Sequence, residues 1–203
     1  MSFIDLTRLT AVLLLIAAPA GSELPPLPAI DGKVDLERYA GDWYVHGNIP
    51  IRIPFFSDAE AFNYTESYEL QADGSVRLTC AFRVGGFEGK NRTFSFKGKV
   101  SDKETFATWK VSLMWPIKAS YRIIYLDENY KTSIVATADR RYAWIMSRDT
   151  SIDDALYDEL LAFLAGAGYE TEKIRRVPQN WAASQGQTAW QGKPKPSIYD
   201  QNG

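Results

Sequence analysis

The chain of 203 residues carries one histidine, His46, and one cysteine, Cys80. Hydrolytic chemistry needs a nucleophile, a base and an orienting group in one place. His46 and Cys80 fall on different predicted strands, so the pattern gives no support to a Cys–His pair. His46 alternates against Trp43 and Val45, which points it outward or toward a mouth. A lone histidine excludes a multi-histidine metal site, and a lone cysteine excludes an intrachain disulfide. The sequence has no Gly-rich phosphate loop and no paired metal-ligand spacing. The expectation is therefore no catalytic residue, no metal, no cofactor and no enzyme. Glu66 is the remaining chemical oddity. Its parity matches Tyr64 and Tyr68, so it should point inward, and a buried carboxyl must be paired or neutral. Arg or Tyr neighbours could satisfy it, or a bulge could turn it outward.

These residues sit in a chain built for a pleated core. Lys and Arg total 23 against 25 Asp and Glu, a balance that argues against a nucleic-acid partner. Aromatic residues make up 13% of the chain, a composition that favours strands. Val76, Leu78, Cys80 and Phe82 alternate with Arg77, Thr79, Ala81 and Arg83. Phe94 and Phe96, and then Trp109, Val111 and Leu113, repeat the period of two that puts one face in a core. Turn signals at 72–74, 85–89, 101–103, 127–129 and 139–141 separate these runs. About eight strands result, enough for a closed antiparallel up-and-down β-barrel. One helix follows, with Thr150 or Ser151 as its N-cap. Its stripe is Ile152, Leu156, Leu160, Phe163 and Leu164, and Gly166 and Gly168 stop it. The stripe is read as the face that docks outside the barrel. Strand-like Lys173–Val177 closes the pattern before Pro178.

Both ends read differently. Residues 1–22 hold Arg8, the apolar run Ala11–Ala20 and a small-residue Ala18-Pro19-Ala20. The run is about half the ~20 residues that span a bilayer, so it is read as a cleaved signal peptide. No cysteine follows the small residues to take a lipid anchor. The expected location is periplasmic or secreted. Residues 23–34 form a Pro-rich leader, 35–179 the barrel with its helix, and 180–203 a polar tail read as disordered.

Three motifs carry a family resemblance. Gly41-Asp42-Trp43 opens the first strand, Asp127-Glu128-Asn129-Tyr130 forms a turn, and Tyr142–Arg148 ends a strand in arginine. In this order and spacing they resemble the lipocalin signature, closest to the bacterial outer-membrane-lipoprotein type, relatives of apolipoprotein D. The resemblance implies that Trp43 and Arg148 plug the closed end and that Gly41, Asp127 and Tyr130 are structural. A barrel of eight strands is just wide enough to hold a small ligand. Alternation selects Tyr64, Glu66, Tyr68, Leu78, Cys80, Phe94, Phe96, Trp109, Val111 and Leu113 as pocket candidates. Trp144 and Met146 join them, leaving Ala143 and Ile145 to pack under the helix. The competing expectation is that these side chains fill a solid core. Arg52, Phe55, Phe56 and Lys118 are assigned to the mouth, where Gly47–Phe56 is either an apolar rim or a lid. The resemblance implies binding and transport of a fatty acid or lysophospholipid in envelope lipid handling, with transient contact at a membrane surface. A pigment or tetrapyrrole carrier, or a lipocalin-type enzyme on a lipid-like substrate, are the other readings.

Overall fold

The computed structural model describes residues 27, 28, 30, 32–114 and 117–181. The segment read as a signal peptide and tail residues 182–203 lie outside the described residues. A short helix α1 (Leu36–Tyr39) precedes β1 (Gly41–Asn48) and a small hairpin, β2 (Arg52–Ile53) and β3 (Phe56–Ser57). The meander continues as β4 (Ala61–Leu70), β5 (Ser75–Val84), β6 (Lys90–Val100), β7 (Thr108–Met114), β8 (Ile117–Leu126), β9 (Thr132–Ala136) and β10 (Ala143–Ser147). Helix α2 (Asp154–Gly166) and β11 (Arg175–Arg176) complete the described chain.

Strands β1 and β4 to β10 pair antiparallel in sequence order, and β10 returns to β1. The eight-stranded barrel is thereby closed, which removes the free edges of an open sheet. The alternation of β5 is realised residue by residue. Val76, Leu78, Cys80 and Phe82 are buried, and Arg77, Thr79, Ala81 and Arg83 on the other face are half-buried. The loop β4–β5 turns on Gly74, at φ +74°, with Asp73 Oδ1 accepting from Ser75 N at 3.0 Å.

Helix α2 lies on the outside of the barrel. Tyr157, Leu160 and Leu164 pack with Ile124, Ile134, Ala136, Ala143 and Ile145. The N-cap is Asp153, whose carboxylate accepts from Leu156 N at 2.7 Å. This corrects the expected cap at Thr150 or Ser151, because the backbone is still extended at Asp153. The expected strand over Lys173–Val177 shortens to β11, after a 3-10 turn over Thr171–Lys173. β11 joins β1, with Gly47 opposite Arg176 and Asn48 opposite Arg175. Gly47 lies where a Cβ would stand 2.7 Å from the Tyr157 hydroxyl, so any side chain there would displace the Tyr157 ring. The first residues assigned to the tail are tied to the barrel. Asn180 N donates to Asn63 Oδ1 at 2.7 Å, and the Trp181 ring packs edge-on against Tyr44.

Candidate functional site

The closed end is built first, because it sets the floor of everything above it. Trp43 Nε1 donates to the Tyr39 carbonyl at 2.9 Å, and the Arg148 guanidinium lies 3.9 Å over the Trp43 ring. Arg148 also donates to the carbonyls of Arg38, Tyr39, Ala40 and Asp42, the last at 2.6 Å. A planar five-donor cation suits this cluster of carbonyls and the indole face together. Gly41 adopts φ +92°, a conformation that lets β1 begin beneath Arg148. In the turn after β8, Asp127 accepts from the backbone N–H groups of Asn129, Lys131 and Thr132. The Tyr130 hydroxyl there accepts from Asp35 N at 2.9 Å. All five residues of the expected signature therefore meet at one end.

Above the plug sits an aromatic layer. Tyr39, Tyr68 and Trp109 lie edge-on to one another with ring centroids 5.2 to 5.9 Å apart. Above it is Glu66, inward and only 1% exposed. Its Oε2 accepts from the Tyr68 hydroxyl at 2.5 Å and from Tyr121 at 2.6 Å. Its Oε1 accepts from Tyr64 at 3.3 Å and faces Cys80 Sγ at 3.8 Å. Burial pushes the Glu66 carboxyl up, and these hydroxyl donors oppose that by favouring the charged form. The tyrosine partners foreseen for Glu66 are present, and no bulge turns it away.

Above Glu66 the barrel opens into a cavity of about 520 Å³. Its lining includes Tyr64, Glu66, Leu78, Cys80, Phe96, Val111, Leu113 and Trp144, all expected from alternation. Phe55, Phe56 and Lys118 line it as well. The barrel is therefore not a solid core at this level. Four pocket candidates do not line the cavity. Tyr68 and Trp109 belong to the aromatic layer below Glu66, where Trp109 Nε1 donates to the Phe106 carbonyl at 2.7 Å. Met146 is fully buried with its sulfur against the Tyr68 hydroxyl. Phe94 stacks on Phe82 and is met edge-on by Phe56. Alternation fixes which face a residue points to and is silent on its height along the barrel, which decided Tyr68, Trp109 and Met146, whereas Phe94, directly opposite Cys80, is covered by Phe56.

At the mouth the sequence left two alternatives, an apolar rim or a lid. Hairpin β2–β3 folds inward as a lid, with Ile51, Ile53, Pro54, Phe55 and Phe56 in the lining. Phe56 is buried against Phe82, Phe94 and Phe96, while Phe55 remains 40% exposed. Arg52 is exposed on the hairpin and does not line the cavity. The neck of the lid is tied by Asp58, whose Oδ1 accepts from Ile51 N at 2.7 Å. Desolvation pushes this carboxyl up to about 7. The far rim comes from residues that sequence reasoning left unassigned: Thr137, Ala138, Asp139, Arg141 and Tyr142. Arg141 Nε pairs with Asp139 Oδ2 at 2.6 Å. Tyr121 was also missed, although the alternation of β8 with Ile123 would have placed it inward.

His46 is buried with Nε2 at 3.0 Å from the Asp149 carbonyl, and burial lowers its pKa. Of the two expected positions, outward or at the mouth, the mouth is excluded, because His46 is covered on the Asp149 side and does not line the cavity. Among the described residues no cluster of three or more metal-ligating side chains is present.

A closed antiparallel barrel with a plugged floor, a lidded mouth and an apolar cavity between them defines a small-molecule-binding calyx. Residues 34–179 match the lipocalin-like domain family, and the chain belongs to it. It is 30% identical over 174 residues to the outer membrane lipoprotein Blc of Citrobacter freundii, covering 84% of this chain and 93% of that protein. Temperature-induced lipocalin-1 of Arabidopsis thaliana is 24% identical, covering 77% of this chain and 85% of that one. Among solved structures, the cockroach allergen Per a 4 superposes with a TM-score of 0.54 at 20% identity, covering 79% of this chain and 99% of that chain. Apocrustacyanin C2 does so with a TM-score of 0.55 at 12% identity, covering 73% and 81%. These two share the fold.

Proposed function

We propose that this protein binds and carries a single-chain amphiphile, a fatty acid or lysophospholipid, with the acyl chain in the cavity and the head group at the mouth. The observation that carries the reading is the cavity itself. Its volume, about 520 Å³, falls within the ~300–1,000 Å³ of small-molecule sites. Its walls are mainly Ile, Leu, Val, Phe and Tyr side chains. Glu66 stands at the floor, so an anionic head group would meet a carboxyl there with no basic side chain among its hydrogen-bond partners. At the mouth it would meet Lys118, whereas Arg141 is already paired with Asp139. The head-out orientation follows. Binding is the proposed activity. Cys80 and His46, the groups a thiol mechanism would need together, each have separate partners. The place of action in this reading is the periplasm or extracellular space. The leader read at residues 1–22 and the relatives named outer membrane lipoproteins support it.

Two measurements test this. Mass spectrometry of lipids extracted from the purified protein should return single-chain lipids. Titration with saturated fatty acids should show affinity rising by up to about 0.8 kcal/mol per added methylene until the cavity is full. Absence of binding below about 100 μM at every chain length, equal to roughly 5.5 kcal/mol, would end the proposal.

A further inference from the structure

Among the described residues, five buried side-chain atoms lack a hydrogen-bond partner: Asn48 Nδ2 and Oδ1, Asp58 Oδ2, Trp144 Nε1 and Arg175 Nη1. Buried polar atoms are nearly always satisfied, so a group of exceptions calls for an explanation. These belong to one place. Asn48 on β1 is the direct cross-strand partner of Trp144 on β10 and of Arg175 on β11. Directly opposed residues project to the same face of a sheet. Asp58, at the neck of the lid, is influenced by the Trp144 indole N–H, and its charge in turn acts on Arg175. The other guanidinium nitrogen of Arg175 is fixed on the Ala61 carbonyl at 2.7 Å. Asn48 and Asp58 are fully buried, and Trp144 is 5% exposed while lining the cavity. The result is a buried polar recess at the level of the lid, which meets the cavity lining at Trp144 while Asn48, Asp58 and Arg175 stand behind that lining.

The chemistry of the recess is specific. It offers three donors, Asn48 Nδ2, Trp144 Nε1 and Arg175 Nη1, and two acceptors, Asp58 Oδ2 and Asn48 Oδ1. A carboxylate or phosphate oxygen only accepts, so it would leave both acceptors facing an anion. A hydroxyl donates and accepts, and so uses both kinds. We propose that this recess is a subsite for a hydroxyl group on the head of a single-chain lipid, so that the preferred cargo is a hydroxylated monoacyl lipid of the glycerol-ester type. The inference rests on the lipid-binding reading above and narrows it. With the chain on the cavity floor and the head at the mouth, the head passes the level of Trp144 and Asp58.

The test uses neutral ligands of equal chain length, which separates the hydroxyl from charge. A hydrophobic dye bound to the full chain is displaced by 1-monomyristoylglycerol or by methyl myristate. The glycerol ester should displace it at a concentration at least about ten-fold lower, because a site built for a hydroxyl discriminates against an analogue lacking one. In Asn48→Leu and, separately, in Trp144→Phe, which keeps most of the aromatic surface, the ratio between the two ligands should fall toward one. Equal displacement in the unaltered protein means that the recess holds water alone, and the proposal is overturned. A ratio that survives both substitutions overturns it too. If neither ligand displaces the dye at any concentration, the lipid reading itself fails and takes this inference with it.

Discussion

Two carboxyl groups define the chemistry of the interior, and neither forms an ion pair. Glu66 is surrounded by hydroxyl donors, whereas Asp58 has one backbone N–H and an oxygen without a partner. Asp58 titrates near 7 in the folded protein and at the ordinary 3.8 when unfolded. The folded state therefore holds the proton more tightly, and this residue's stabilising effect is complete below about pH 4 and lost as pH rises through about 7. Desolvation raises it most, the backbone N–H groups of Ile51 and of Asp58 itself oppose that, the like charge of Glu66 raises it further, and Trp144 and Arg175 favour the ionised form. In Asp58→Asn, which keeps an acceptor for Ile51 N, the decline in melting temperature between pH 4 and 7 should be shallower than in the unaltered protein. Thermal melts across that range check it. At the other end, Trp43→Ala should destabilise by roughly 3–5 kcal/mol, a core aromatic truncation. Arg148→Ala should cost less, and denaturant titration of the double variant should reveal coupling, since the guanidinium lies 3.9 Å over the ring. Strictly additive effects would contradict the plug.

At the scale of elements, the barrel is a repetition of one local rule, and helix α2 is an exception that had to be fitted. Its docking depends on Gly47 lacking a side chain beneath Tyr157. Its start depends on one carboxylate, so Asp153→Ala should lower stability by about 1 kcal/mol, read as a shift in the denaturation midpoint. Substituting Ser151, the cap that sequence alone suggested, should have less effect. The stripe of α2 was legible because Leu160 and Leu164 repeat at helical spacing. The cap was not, because Thr150, Ser151 and Asp153 all suit it and only the backbone conformation chooses. The hairpin β2–β3 shows the same limit: its apolar composition announced either a rim or a lid. The distinction lay in Phe56 finding Phe82, Phe94 and Phe96, contacts between distant segments.

For the whole molecule, strand order and most inward faces could be read directly, because a period of two runs through the strands between their bulges. Depth could not. Trp109 and Val111 share a face of β7, yet Val111 lines the cavity and Trp109 lies beneath Glu66. The β9–β10 turn was recognised as a turn, but closure of the barrel was needed to bring Asp139, Arg141 and Tyr142 to the same mouth as Lys118.

The vertical order of aromatic rings has an optical consequence. Trp144 at the cavity wall lies 5.8 Å from Tyr121, Tyr121 stacks 5.9 Å from Trp109, Trp109 lies 5.9 Å from Tyr39, and Tyr39 lies 5.0 Å from Trp43. Rings held this close in a fixed chiral arrangement exchange excitation and share their transitions. Tyrosine emission from this column should drain into its indoles, and the near-ultraviolet circular dichroism should carry a contribution from the column as a unit. A cargo molecule touching only Trp144 and Tyr121 thus alters a signal that extends to Trp43 at the closed end, so one spectrum senses both the occupancy of the calyx and the integrity of its floor.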